Sequence, residues 1–95
     1  MSVMEVYMDM SLEEPLSLED FLARLQAGEF GVFTVKEVMG FLRDVEAHML
    51  ENIELKVNES PVWADEAARA AEETRQLVAR LRAQIKPGPG IVEGK

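Results

Sequence analysis

Residues 3 to 10, VMEVYMDM, set Met4, Val6, Met8 and Met10 on one parity and Glu5 and Asp9, with Val3 and Tyr7, on the other. A repeat of two belongs to a strand with one buried face, so the opening stretch predicts a short N-terminal β-strand. After Ser11-Leu-Glu-Glu-Pro15 the period changes. Leu18, Phe21, Leu22 and Leu25 make one apolar stripe at helical spacing, with Ser17 placed as N-cap, Asp20 in the first turn and Gly28 just past the end. A short helix is expected over 18 to 27. Glu29-Phe-Gly-Val-Phe33 is apolar, aromatic and broken by glycine, which suits a buried connection or a second short strand.

Thr34-Val-Lys-Glu37 matches a capping box, in which the threonine oxygen takes the N3 amide and the glutamate reaches back to the threonine amide. The helix it opens carries Val38, Phe41, Leu42, Val45, Met49 and Ile53 at three- and four-residue spacing and is expected to run to about Lys56. Asn58-Glu-Ser60-Pro61 then reads as a stop and restart, with Asn58 in a left-handed C-cap, Ser60 as N-cap and Pro61 in the first turn. So short a connection implies an antiparallel helical hairpin. In the second long helix Trp63, Ala67, Ala70, Thr74, Leu77 and Leu81 step by four and three along a heptad seam, widened by Ala71, Val78 and Ile85. Val38, Leu42, Val45, Met49, Trp63, Ala67, Ala70, Leu77 and Leu81 are therefore the candidates for a helix seam or a dimer contact. Lys86-Pro-Gly-Pro-Gly90 ends the helix. The expected architecture is mainly α, an antiparallel hairpin of two long helices plus one short helix and the N-terminal strand, as a single small helical domain over 1–86 with a flexible C-terminal tail over 87–95.

Ninety-five residues with 47% hydrophobic content are enough for one such core and no more. The chain has no cysteine, which removes disulfides and thiolate ligands and agrees with a reducing compartment. No apolar run has membrane-spanning length and no signal peptide opens the sequence, so the expected location is cytoplasmic. The net charge of −8 is uneven: residues 1 to 60 hold thirteen acids and four bases, residues 61 to 95 five acids and six bases. That field repels phosphate backbones and anionic lipid, leaving no direct nucleic-acid or membrane binding among the expectations and favouring a basic protein partner. Acidic surfaces also serve solubility alone, so sign by itself names no partner.

Candidate chemistry is sparse. His48 is the only histidine, with Asp44 and Glu51 about one helical turn away on either side. Without a second histidine or any cysteine it reads as a surface residue, and no metal, cofactor or catalytic residue is expected. Ser11, Ser17, Ser60 and Thr34 sit where helix caps belong. Gly28, Gly31 and Gly40 lack the ending of a phosphate loop. A helix-turn-helix over 18 to 45 would have as its second helix one that carries Glu37, Asp44 and Glu46 beside only Lys36 and Arg43, the wrong balance for DNA.

The functional expectation comes from coverage. Two helices of roughly 35 Å present long apolar stripes, and a short helix of roughly 15 Å cannot hide them. The rest of the cover must come from Phe30 to Phe33, from the opening strand paired to something, or from a second molecule. The chain is thus expected to be no enzyme but a small acidic protein-protein interaction module, a regulatory or inhibitory adaptor of bacterial or phage type. It would occlude a partner with a basic or sheet-edge surface. Met4, Val6, Met8, Met10, Phe30 and Phe33 would supply contact and Glu5, Asp9, Glu13 and Glu14 would steer encounter. A homodimer through the helices is also expected. The alternatives are a structural subunit of a homo- or hetero-oligomeric assembly and a nucleic-acid-mimicking inhibitor.

Overall fold

The computed structural model describes residues 2 to 13 and 17 to 94, the side chains of residues 11 and 13 apart. It is mainly helical, at 76%. Helices α1 (Val3–Glu13), α2 (Leu18–Gln26), α3 (Val35–Glu59) and α4 (Ala64–Gln84) are joined by two short strands, β1 (Phe33–Thr34) and β2 (Ile91–Val92). The two long segments, α3 and Pro61 to residue 84, pack together. Among the described residues no helix is long and apolar enough to cross a membrane. Contacts divide the chain into two compact units, Met1–Phe41 with Gln84–Lys95, and Leu42–Ala83.

In the first unit, residues 3 to 10 are helical, which overturns the predicted N-terminal strand. Val3 and Val6 are both buried. A strand would send residues three apart to opposite faces, whereas a helix holds them about 60° apart on one side. The start is fixed by Ser2, whose Oγ accepts from the Glu5 amide at 3.2 Å and whose carbonyl accepts from the Val6 amide at 3.2 Å. Ser2-Val-Met-Glu5 has the spacing of a capping box, the same signature that announces α3.

The starts of α2 and α3 follow expectation, whereas Ser60, the expected N-cap before Pro61, makes no side-chain cap bond. Ser17 Oγ accepts from the Asp20 amide at 3.1 Å, and Leu18, Phe21, Leu22 and Leu25 are all buried. Past the end of α2 the chain turns at Gly28 with φ +89°, a conformation glycine adopts without strain. Thr34 Oγ1 accepts from the Glu37 amide at 3.1 Å while Glu37 Oε1 accepts from the Thr34 amide at 3.2 Å, completing the capping box. Phe21 is the hub of an aromatic cluster. Tyr7 meets it edge-on at 5.0 Å between centroids, Phe30 stacks on it at 5.2 Å, and Phe41 lies tilted at 5.5 Å. Such pairs each contribute about 0.5–1.5 kcal/mol beyond the area they bury.

Residues 87 to 95, read from the sequence as a flexible tail, carry β2, which pairs in parallel with β1, Phe33 opposite Ile91. The Phe33 amide donates to Gly90 O at 2.9 Å and the Gly90 amide donates to Gln26 O at 3.1 Å. Ile91 is fully buried. A Cβ on Gly90 would overlap Leu25 O and lie 2.8 Å from Gly28 N, so only glycine admits this approach. The Pro-Gly run therefore turns the chain back into the first unit, and its two-residue apolar strand is too short for any periodicity to announce.

In the second unit, α3 runs past its expected end to Glu59, and Asn58 lies inside it with no left-handed turn. The Ser60 amide donates to Lys56 O at 3.0 Å, which supplies the partner a left-handed cap would have provided. Ser60 is extended, and Pro61–Trp63 form a single 3-10 turn leading into α4. Leu42, Val45, Thr74, Val78 and Leu81 are buried here, with Thr74 Oγ1 donating to Ala70 O at 2.8 Å.

Two outcomes follow from the first unit. Val3→Ser should lower the unfolding free energy by about 2 kcal/mol and Met8→Ser by less than about 0.5, since Val3 is buried and Met8 exposed; urea denaturation of both checks this, and a strand over residues 3 to 10 predicts the opposite order. Ile91→Ala should cost about 2–4 kcal/mol in the same assay, where a mobile tail would give no change.

Candidate functional site: an apolar cleft beside the Ser60 break

The last turns of α3 carry Met49, Leu50, Ile53 and Val57, each half-buried and none fully so. Beyond Ser60, the turn Pro61–Trp63 exposes Val62 to 81% and Trp63 to 50%. Alanines then occupy positions 64, 67, 68, 70 and 71 of α4. Small side chains on one segment opposite branched ones on the other leave space that neither fills. A cleft of about 450 Å³ results, lined on its apolar side by Ile53, Trp63, Ala67 and Ala70 and completed by Lys56, Glu59, Ser60 and Glu66. The three charged residues are exposed and form its rim, whereas Ile53, Ala67 and Ala70 are half-buried. From residue 46 to residue 73 no side chain is buried.

The charge around the cleft is mostly negative. Residues 50 to 70 contain Glu51, Glu54, Glu59, Asp65 and Glu66 against Lys56 and Arg69, and all seven are exposed. An apolar floor with a charged rim is the anatomy of a contact patch, in which the aromatic anchor supplies energy and the rim supplies orientation. Trp63 is the chain's single tryptophan, the residue type most enriched among energetic anchors.

The residues expected to bind a partner from the opening stretch are distributed differently. Val6 and Phe33 are buried in the first unit, and Met4, Met10 and Phe30 are half-buried. Glu5, Met8 and Asp9 are exposed and fall on one face of α1, joined by Leu12 at 87% exposure, which the sequence reading did not single out. Glu14 lies outside the described residues, as does the side chain of Glu13. Of the seam candidates, Val38, Leu42, Val45 and Leu81 are buried, Met49, Ala67, Ala70 and Leu77 half-buried, and Trp63 exposed. Thr74 and Val78 are buried while Leu77 is not, so the buried line on α4 is turned toward the widening positions of the heptad pattern. Ile53, Trp63, Ala67 and Ala70 are the members of the predicted apolar stripes that come together at the cleft. The carboxylates beside them carried no motif, and only their proximity to Ser60 along the chain could have associated them.

His48 is exposed. Among the described residues no group of three or more His, Cys, Asp or Glu side chains is placed to hold a metal ion. No protein-family model, no curated protein and no solved structure matches this chain.

Proposed function

We propose that the protein is a protein-protein interaction module, a regulatory or inhibitory adaptor that works by occupying a partner's surface rather than by catalysis, in the cytoplasm. One observation carries the reading: residues 46 to 73 bury no side chain although they include Met49, Leu50, Ile53, Leu55, Val57, Val62 and Trp63. A single exposed apolar residue needs no explanation, but several together around one cleft do. Covering the exposed half of Trp63, on the order of 100 Å², would contribute about 2–3 kcal/mol to an interface.

The two long segments form, in this reading, an antiparallel hairpin about Ser60. Its support is near-symmetry about the break, since Ile53 and Ala67, each seven positions from Ser60, line the same cleft. An extended rod hinged at one residue would keep such positions far apart, because seven residues of helix span about 10 Å on each side.

The sequence reading also includes a homodimer through the helices. A two-fold contact at this cleft would bring five carboxylates, Lys56 and Arg69 against an identical set, and an excess of like charge in an interface is costly. A foreign partner is the better occupant of this surface. The opening stretch remains a second contact candidate in the reduced form of Glu5, Met8, Asp9 and Leu12 on α1.

Paired baits test the reading. Trp63→Glu and Met8→Glu alter side chains of nearly equal exposure, 50% and 53%, in the two different units. With unfolding midpoints matched to the parent, the partner retained from a lysate of the source cells should be lost from the Trp63→Glu bait and kept by the Met8→Glu bait. Identical retention by all three baits removes the cleft from the account, and loss with Met8→Glu alone moves the contact to α1.

A further inference from the structure

Resting on the binding role above, we infer that the cleft beside Ser60 takes a cationic amphipathic helix: a segment of the partner that places one or two large apolar side chains on Ile53, Trp63 and the alanine floor and sets lysines or arginines against Glu59 and Glu66. Three observations specify this occupant.

The size of the cleft comes first. About 450 Å³ is too large for one methyl group and too small for a folded domain, but it matches one or two Leu-, Phe- or Trp-sized side chains projecting from a helix. The chemistry of the lining comes second. Ala67 and Ala70 lie three residues apart on one face of α4 and present only methyl groups, so a helix backbone can approach closely between Ile53 and the Trp63 ring. The sign of the rim comes third. Glu59, Glu66 and Lys56 line the cleft and Glu51, Glu54 and Asp65 lie in the flanking turns, so that residues 50 to 70 hold five acids against Lys56 and Arg69. This local excess sits in a chain of net charge −8, so the long-range field and the near field both draw in a cation and turn away an acidic segment. The same argument disfavours a second copy of this chain as occupant.

The site carries its own reporter, because Trp63 is the only tryptophan. The probes are two synthetic 18-residue helical peptides without tryptophan, one of leucine and lysine and one of the same pattern in leucine and glutamate, titrated into the 95-residue protein at low salt. The leucine-lysine peptide should shift the Trp63 emission to the blue with a saturable curve, and its affinity should fall at least tenfold in Glu59→Lys/Glu66→Lys. Asp20→Lys/Glu93→Lys makes the same change in net charge within the first unit, away from both contact candidates, and should leave the affinity within about twofold. Added salt should weaken binding, as expected for a charged rim.

Three results would overturn the inference: no Trp63 response to the leucine-lysine peptide, an equal response to the leucine-glutamate peptide, or equal weakening by the two charge-reversal pairs. A blue shift that grows with protein concentration in the absence of peptide would assign the cleft to a second copy and overturn it as well. Capture of a Trp63-dependent partner whose contacting segment is not basic would refute the cationic occupant while leaving the binding role intact, so the two conclusions fail separately.

Discussion

In the second unit Leu42 and Val45 are buried on α3 and Thr74, Val78 and Leu81 on α4, and every position between residues 46 and 73 keeps contact with solvent. Everything said about function depends on that uneven burial. Two helices packed alone can each cover only one stripe of the other, and where the facing residues are alanines even that stripe is thinly filled. The sequence supplies bulk on one side, with Met49, Ile53 and Val57, and withholds it on the other, with Ala67, Ala70 and Ala71. The cleft is the geometric remainder of that mismatch. Trp63 ends the 3-10 turn that Pro61 opens after Ser60, and half of its surface stays exposed there.

The first unit solves the same problem by bringing in short pieces from distant parts of the sequence. Phe21 draws together Tyr7 from α1, Phe30 from the loop and Phe41 from α3. Ile91 arrives from the far end of the chain and fills the space beside β1, admitted by the bare backbone of Gly90. Fourteen apolar side chains are buried in the described residues, and only Leu42, Val45, Val78 and Leu81 of them belong to the second unit. Buried apolar side chains are in this way concentrated in the first unit, and the second keeps more of its apolar surface in contact with solvent.

How much of this could be read beforehand depended on whether the signal was local. Helix caps are local, and Ser17 with Asp20 and Thr34 with Glu37 marked their helices correctly from spacing alone. The stripe Leu18, Phe21, Leu22 and Leu25 also emerged complete as buried residues. The opening stretch misled because Met4, Val6, Met8 and Met10 alternate, while Val3, Val6, Tyr7 and Met10 satisfy helical spacing over the same eight residues. Ser2 and Glu5, read as a capping box, would have decided between the two periods. Ile91 was illegible for a different reason: Phe33, which pairs with it, and Gln26, whose carbonyl accepts from the Gly90 amide, come near only when the chain returns, and no local pattern encodes a return. The shortfall of cover was legible as a length argument, but its place was not. It was assigned to the opening residues, whereas the emptiest ground lies around Trp63, where the heptad pattern had predicted a seam.

The most direct test of the uneven burial is the accessibility of Trp63 in the isolated protein, followed by acrylamide quenching of its fluorescence across a wide range of protein concentration. The account predicts ready quenching and a water-like emission that do not change with concentration, because among the described residues half of the Trp63 surface stays open to solvent. A shielded indole with blue emission, already present at the lowest concentration, would mean that the polypeptide hides this surface by itself and would contradict the account.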